Sequence, residues 1–173
     1  RALQARDWQV FASCRKAEDC DRLKAEGLAS PRLDVDDPAS IRQALAEVLE
    51  ATGGRLDALF NNAAYGLPGA LEDVSREALE AIFSTNLFGL HDLTREVIPV
   101  MRRQGSGRIV NCSSALGLVG IKWRGPYVGT KFALEGMTDV LRLEMRGTGI
   151  EVSLIEPGPI TTEFRVNSAK QFE

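Results

Sequence analysis

Histidine is almost absent from this chain. His91 is the only one in 173 residues, so a histidine-based triad or a site of imidazole metal ligands has nothing to build on. His91 itself falls in a helical stretch and reads as structural. Cysteine is scarce as well. Cys14, Cys20 and Cys112 are an odd, scattered set whose spacing fits neither a zinc site nor a disulfide framework. No metal is expected, and the thiols read as reduced. No uninterrupted apolar run approaches the ~18 residues of a membrane span. Neither sign of charge dominates: 21 Lys and Arg stand against 24 Asp and Glu, for a net charge of −3. That balance favours neither nucleic acid nor an anionic membrane as partner. Internal repeats, low-complexity segments and linkers are also lacking.

What is present is the composition of a globular domain, 44% hydrophobic and 26% charged, on a chain long enough for one real core. Residues 1–173 read as a single unit. Trp8 to Ser13 is a short apolar run, expected as a strand. Lys16 to Glu26 is a charged helix closed by Gly27, and Arg32 to Val35 is a second strand. Asp37-Pro38 opens a helix, with Asp at the cap and Pro in the first turn. Ile41, Leu45, Val48 and Leu49 form its stripe. Leu56 to Phe60 is a third strand. Ser75 opens a long helix to about Arg103, with Leu79, Ile82, Phe83, Leu90, Leu93 and Val97 on its buried face. Arg108 to Cys112 is a strand, Tyr127 to about Arg146 a helix, and Glu151 to Ile155 a strand. Strands alternating with helices predict an α/β fold, a parallel sheet wound on both sides. Such sheets place ligands at the carboxyl ends of their strands.

One stretch organises the rest: Asn111 to Lys131, NCSSALGLVGIKWRGPYVGTK. It holds a serine pair, a loop, and then Tyr127 and Lys131 four residues apart. Residues i and i+4 share a helix face. At about 5 Å and an effective dielectric near 20, an ammonium favours the ionised phenol by ~3 kcal/mol. The expected pKa of Tyr127 is therefore lowered, by roughly 2 from its ordinary value near 10. A tyrosine so placed exchanges protons near neutral pH, with a serine hydroxyl as a second group for a substrate oxygen. Ser113 and Ser114 compete for that role.

With Ser114 thirteen residues before Tyr127-x-x-x-Lys131, the chain resembles the short-chain dehydrogenase/reductase family, and the family spacing selects Ser114. Further family features follow in order. Asn61-Asn62-Ala63-Ala64 is similar to the NNAG motif, with Ala64 in place of Gly. Thr85-Asn86-Leu87-Phe88-Gly89 is similar to N-x-x-G, and Pro157 to Thr162 to P-G-x-x-x-T. The resemblance implies a Rossmann-like fold and catalytic roles for Asn86, Ser114, Tyr127 and Lys131. The backbone carbonyl of Asn86 would hold a water linked to the lysine.

The resemblance also implies cofactor contacts. Asp34 and Val35 would meet the adenine end. Asn61 and Ala63 would line a ribose, with Tyr127 and Lys131 at the nicotinamide ribose. Pro157, Gly158, Ile160 and Thr162 would edge the nicotinamide. The strand ending at Cys14 is followed by Arg15 and Lys16, with no acid to hold a ribose 2′-hydroxyl. An arginine suits a 2′-phosphate, so NADP is expected before NAD.

The family's N-terminal strand and its glycine-rich turn TGxxxGxG do not occur in the chain, nor does its final strand. The 173 residues read as the middle of a longer enzyme, truncated at both ends. By themselves they are expected to bind cofactor poorly, if at all. The helix from Tyr127 has an apolar arc wider than one sheet can bury, which suggests a homodimer or tetramer through the two longest helices. The stretch YVGTKFALEGMTDVLRLEM is similar to the branch of 17β-hydroxysteroid and retinol dehydrogenases. The expected enzyme is a cytoplasmic oxidoreductase acting on a small hydrophobic alcohol, aldehyde or ketone. A 3-oxoacyl thioester reductase and a non-catalytic dinucleotide-binding scaffold are the alternatives.

Overall fold

The computed structural model describes residues 1–160 together with Phe164 and Ser168. Its elements in order are α1 (Ala17–Ala25), α2 (Pro38–Ala51), β1 (Ala58–Asn61), α3 (Arg76–Phe83), α4 (Gly89–Gln104), β2 (Gly107–Cys112), α5 (Gly125–Glu144) and β3 (Ile150–Ile155). The three strands pair in parallel in the order β1-β2-β3. Parallel neighbours need crossovers, and α3 and α4 supply the first, α5 the second.

Local chemistry sets the boundaries. Asp37 caps α2 by accepting from the Ala39 N–H at 2.8 Å, and Pro38 takes the first turn. Ser75 caps α3 through the Ala78 N–H. Gly105 ends α4 at φ 69°, a left-handed conformation that glycine adopts without a Cβ penalty. Helix α5 begins at Gly125 rather than Tyr127, because Pro126 suits a first turn.

Three of the expected elements need correction. Trp8–Ser13 and Arg32–Val35 do not form ladders. They touch only through isolated parallel bridges, Phe11 to Ala29 and Cys14 to Arg32. Trp8 is exposed, so this apolar run gains little from extension. The long helix is interrupted: a π turn, Ser84–Phe88, separates α3 from α4. Leu79, expected on its buried face, is exposed.

The core lies between the sheet and the long helices. Ile41 of α2, Val97 and Met101 of α4, and Ile109 of β2 are almost wholly buried together. Burying each contributes about 1.5–3 kcal/mol. Gly89 lets the start of α4 cross Val35 closely, since a Cβ there would lie 2.8 Å from the Val35 Cβ. On the outer side of α5, Phe132, Met137, Val140 and Leu143 are exposed, the second apolar face that the sequence arc implied.

Candidate active site

The site forms where β2 ends. Ser113 N–H donates to Ile155 O at 2.8 Å and Ala115 N–H to Pro157 O at 3.1 Å. These bonds draw the turn after β2 and the Pro157 segment together at the carboxyl edge of the sheet. Ser114 is extended, and its Oγ accepts from the Leu116 N–H at 3.1 Å, capping the short 3₁₀ turn Ala115–Gly117. Tyr127 and Lys131, one turn apart on α5, face this turn.

Lys131 is 2% exposed. Its Nζ donates to Cys112 O at 2.8 Å and stands 5.5 Å from the centroid of the Tyr127 ring. Burial drives the Lys131 pKa down to about 8, with Cys112 and Glu135 pulling it upward. The Tyr127 phenol moves the other way from the expectation. Burial raises its pKa, the neighbouring Ser114 hydroxyl lowers it, and Cys112 raises it further. The expected lowering by Lys131 is thus overturned. The ammonium is anchored on a backbone carbonyl, and desolvation of the phenolate is the largest influence on the phenol.

Asn86 sits in the π turn and is fully buried. π turns occur often at functional sites. Its Oδ1 accepts from the Tyr65 N–H at 3.0 Å, and its Nδ2 donates to Tyr65 O at 2.9 Å and to Thr130 Oγ1 at 3.3 Å. Thr130 Oγ1 donates in turn to Tyr127 O at 2.8 Å. The side chain therefore ties the loop after β1 to the turn of α5 that carries Tyr127.

The Asn61 side chain turns inward and donates to Thr94 Oγ1 at 2.9 Å and Asn111 Oδ1 at 2.8 Å. Asn111 donates onward to Thr138 Oγ1 at 2.9 Å. This buried polar chain joins α4 to α5 beneath the strand ends. Thr94, Asn111 and Thr138 were missed in the sequence. The available signal was a polar residue at an apolar position of each element.

Ala63 is exposed on the loop after β1, while Val35 is buried against Gly89. Asp34 is partly buried, and its Oδ1 accepts from the Asp36 N–H at 3.1 Å. Arg15 lies in an open surface pocket with Lys16, Glu18, Arg32 and Asp34. Arg32, which sequence reasoning also missed, donates from Nε to Arg15 O at 2.9 Å. Lys16 is partly engaged by Glu18 at 3.6 Å. Helix α1 opens at this pocket with no side-chain cap, so its first N–H groups are available to an anion. Arg15, Lys16 and Arg32 around an uncapped helix start suit a phosphate. Pro157 is half-buried, Gly158 and Ile160 are exposed, and Thr162 lies outside the described residues.

Apolar side chains also approach this end of the sheet, and one of them meets Tyr127. The Phe164 ring meets it edge-on at 5.5 Å between centroids. Phe164 and Ser168 come so close to Gly66 that a Cβ there would lie 3.2 Å and 2.5 Å from them. Gly69 N–H donates to Trp123 O, which brings the loop after β1 to the exposed Leu118–Trp123 loop. The Tyr127 phenol, beside the Ser114 hydroxyl, can hydrogen-bond one small oxygen substituent and exchange a proton with it.

Residues 1–172 match the family model described as short chain dehydrogenase. The chain is 44% identical over 165 residues to an uncharacterized oxidoreductase, YbbO, of Escherichia coli, covering 95% of this chain and 61% of that protein. It is 38% identical over 164 residues to human retinol dehydrogenase 8, covering 91% of this chain and 51% of that one. The fold matches ElxO with NADP bound at a TM-score of 0.87 and 28% identity, covering 98% of this chain and 71% of the other. It also matches a short-chain dehydrogenase/reductase from Burkholderia phymatum in complex with NAD, at 0.85 and 28%, covering 95% and 62%. The chain spans 61% and 51% of the lengths of the two curated relatives. With a parallel α/β fold and these relatives, the chain belongs to the short-chain dehydrogenase family of oxidoreductases.

Proposed function

We propose that the full-length protein is an NADP(H)-dependent oxidoreductase acting on a hydrophobic alcohol, aldehyde or ketone. The observation that carries this reading is the cluster of Ser114, Tyr127 and buried Lys131 at the strand ends. A nicotinamide cofactor, when bound, supplies or accepts the hydride. Tyr127 gives its proton to the forming alkoxide oxygen in reduction and takes it back in oxidation. Ser114 orients that oxygen. Lys131 keeps a positive charge beside the phenol, and Asn86 joins the two loops that carry the site. The exposed apolar side chains Leu118, Trp123, Ile160 and Phe164, on segments beyond the strand ends, and the likeness to retinol dehydrogenase 8 favour an apolar substrate. Steady-state turnover of a panel of long-chain aldehydes and aryl ketones with NADPH tests the assignment. Turnover of 3-oxoacyl thioesters alone would favour the alternative reductase, and no turnover of any carbonyl would favour a scaffold.

Arg15, Lys16 and Arg32 beside the uncapped start of α1 support NADP over NAD. Arg15→Asp is expected to shift the ratio of kcat/KM for NADPH over NADH toward NADH by about 10²-fold. The carboxylate both removes a bidentate phosphate partner and offers an acceptor to a ribose hydroxyl. An unchanged ratio would put the cofactor reading at fault.

The exposed apolar face of α5 supports a homo-oligomer through the long helices. Val140→Glu, at a position 54% exposed, is expected to convert the assembly to monomer in sedimentation without lowering the melting temperature by more than a few degrees. A carboxylate costs little in water but much within an apolar interface.

A further inference from the structure

Glu135 lies one turn beyond Lys131 on α5, as Lys131 lies one turn beyond Tyr127. The three therefore share one helix face. Only the first two have a role in the proposed reaction. Glu135 Oε1 is buried and makes no hydrogen bond, and among the described residues only Asn61 Oδ1 and Ser113 Oγ are side-chain atoms in the same condition. Two of those three meet at one place. A methyl built on Gly117 would lie 2.8 Å from Ser113 Oγ and 3.0 Å from Glu135 Oε1. Both oxygens border the same space, which is open only because residue 117 has no side chain. One is a hydroxyl able to donate, the other a carboxylate able only to accept.

A buried acceptor left unpaired is costly unless something nearby is served by its charge. Here that group is Lys131. The lysine is 2% exposed, and among the described residues its one hydrogen bond goes to Cys112 O. We propose that Glu135 is a positioning residue for Lys131: its carboxylate, seated with Ser113 over Gly117, keeps the buried lysine charged and in place beside Tyr127. The inference rests on the reading of Tyr127 and Lys131 given above.

Among the described residues, the other groups facing Lys131 do not supply this charge. Burial lowers the Lys131 pKa, while Cys112 and Glu135 hold it up, and Glu135 is the one carboxylate among these influences. The turns Ala115–Gly117 and Ser84–Phe88, which pack on α5, carry no charged side chain. Arg76, Glu77 and Glu80 of α3 and Glu151 of β3 are exposed. Tyr127 is neutral in the resting site, since burial raises its pKa.

The test is Glu135→Gln in the full-length protein, which preserves shape and removes charge. The Lys131 titration is followed by NMR of ¹⁵N-lysine, and in parallel the pH profile of kcat/KM is recorded. Wild-type Lys131 is expected to titrate near 8. In Glu135→Gln it falls by about one pH unit, and the alkaline limb of the rate profile moves down by the same amount. Glu135→Asp, which keeps the charge on a shorter arm, is expected to lie between the two. A purely structural Glu135 would alter the melting temperature and leave the titration where it was. If neither variant moves the Lys131 titration, the proposal is overturned. If the titration moves but no variant, nor the wild type, turns over a carbonyl, the Glu135–Lys131 coupling stands and the proposed reaction falls.

Discussion

Tyr127→Phe in the full-length protein is expected to lose at least ~10³-fold in turnover, with the dissociation constant for NADPH unchanged within a few-fold. The phenol oxygen is the group at the site placed to exchange a proton with a substrate oxygen, and phenylalanine removes that atom alone. The ring remains. It is 8% exposed, packed edge-on against Phe164 and over the Lys131 ammonium, so the apolar part of the site is kept. Because burial raises the Tyr127 pKa, the phenol is protonated at neutral pH. Loss of the Lys131 charge, whose pKa is about 8, is therefore expected to set the alkaline limb of reduction, because the buried phenol keeps its proton to higher pH than a tyrosine in water. Near-wild-type turnover in Tyr127→Phe by stopped-flow and steady-state assay would remove the tyrosine from the mechanism.

Lys131→Met is expected to lower turnover by at least ~10²-fold and yet to raise stability at pH 7. The two effects have one cause. Lys131 is buried, and its folded-state pKa is about 8 against an ordinary 10.5. The unfolded chain binds the proton more tightly, so between these values the unfolded state holds more protons and stability rises with pH. The contribution is fully present above 10.5 and is lost as pH falls through 8. At pH 7 the fold carries a buried ammonium that opposes it by roughly 3 kcal/mol. Methionine, of similar length and uncharged, removes that burden. The advantage of the variant in urea unfolding is expected to be about 1 kcal/mol smaller at pH 9 than at pH 7. A gap that stays constant with pH would show that the folded-state pKa of Lys131 is not lowered, as for a lysine in water.

Where a feature depended on neighbours in the chain, it was legible in the sequence. The Tyr127-Lys131 pair follows from helix geometry, and Asp37 and Ser75 were readable as caps because their partners are two and three residues away. Alternating strands and helices sufficed for the parallel α/β class, and the spacing Ser114 to Tyr127 sufficed for the family.

Tertiary structure alone decided what distant segments impose on one another. The apolar run at Trp8 reads as a strand, but a strand needs partners on its edges, and here it finds only single bridges. The Asn61 amide is held by Thr94 and Asn111, which belong to other elements of the fold. Arg32 sits seventeen residues from Arg15, and nothing local links them. The sign of the Tyr127 shift followed the same rule. The pair alone predicts a lowered value through Coulomb's law, while the folded site raises it, because the free energy of an ion depends on how much water is removed. That quantity does not exist until the chain has closed around Tyr127, Lys131 and the Ser113–Glu135 seat behind them.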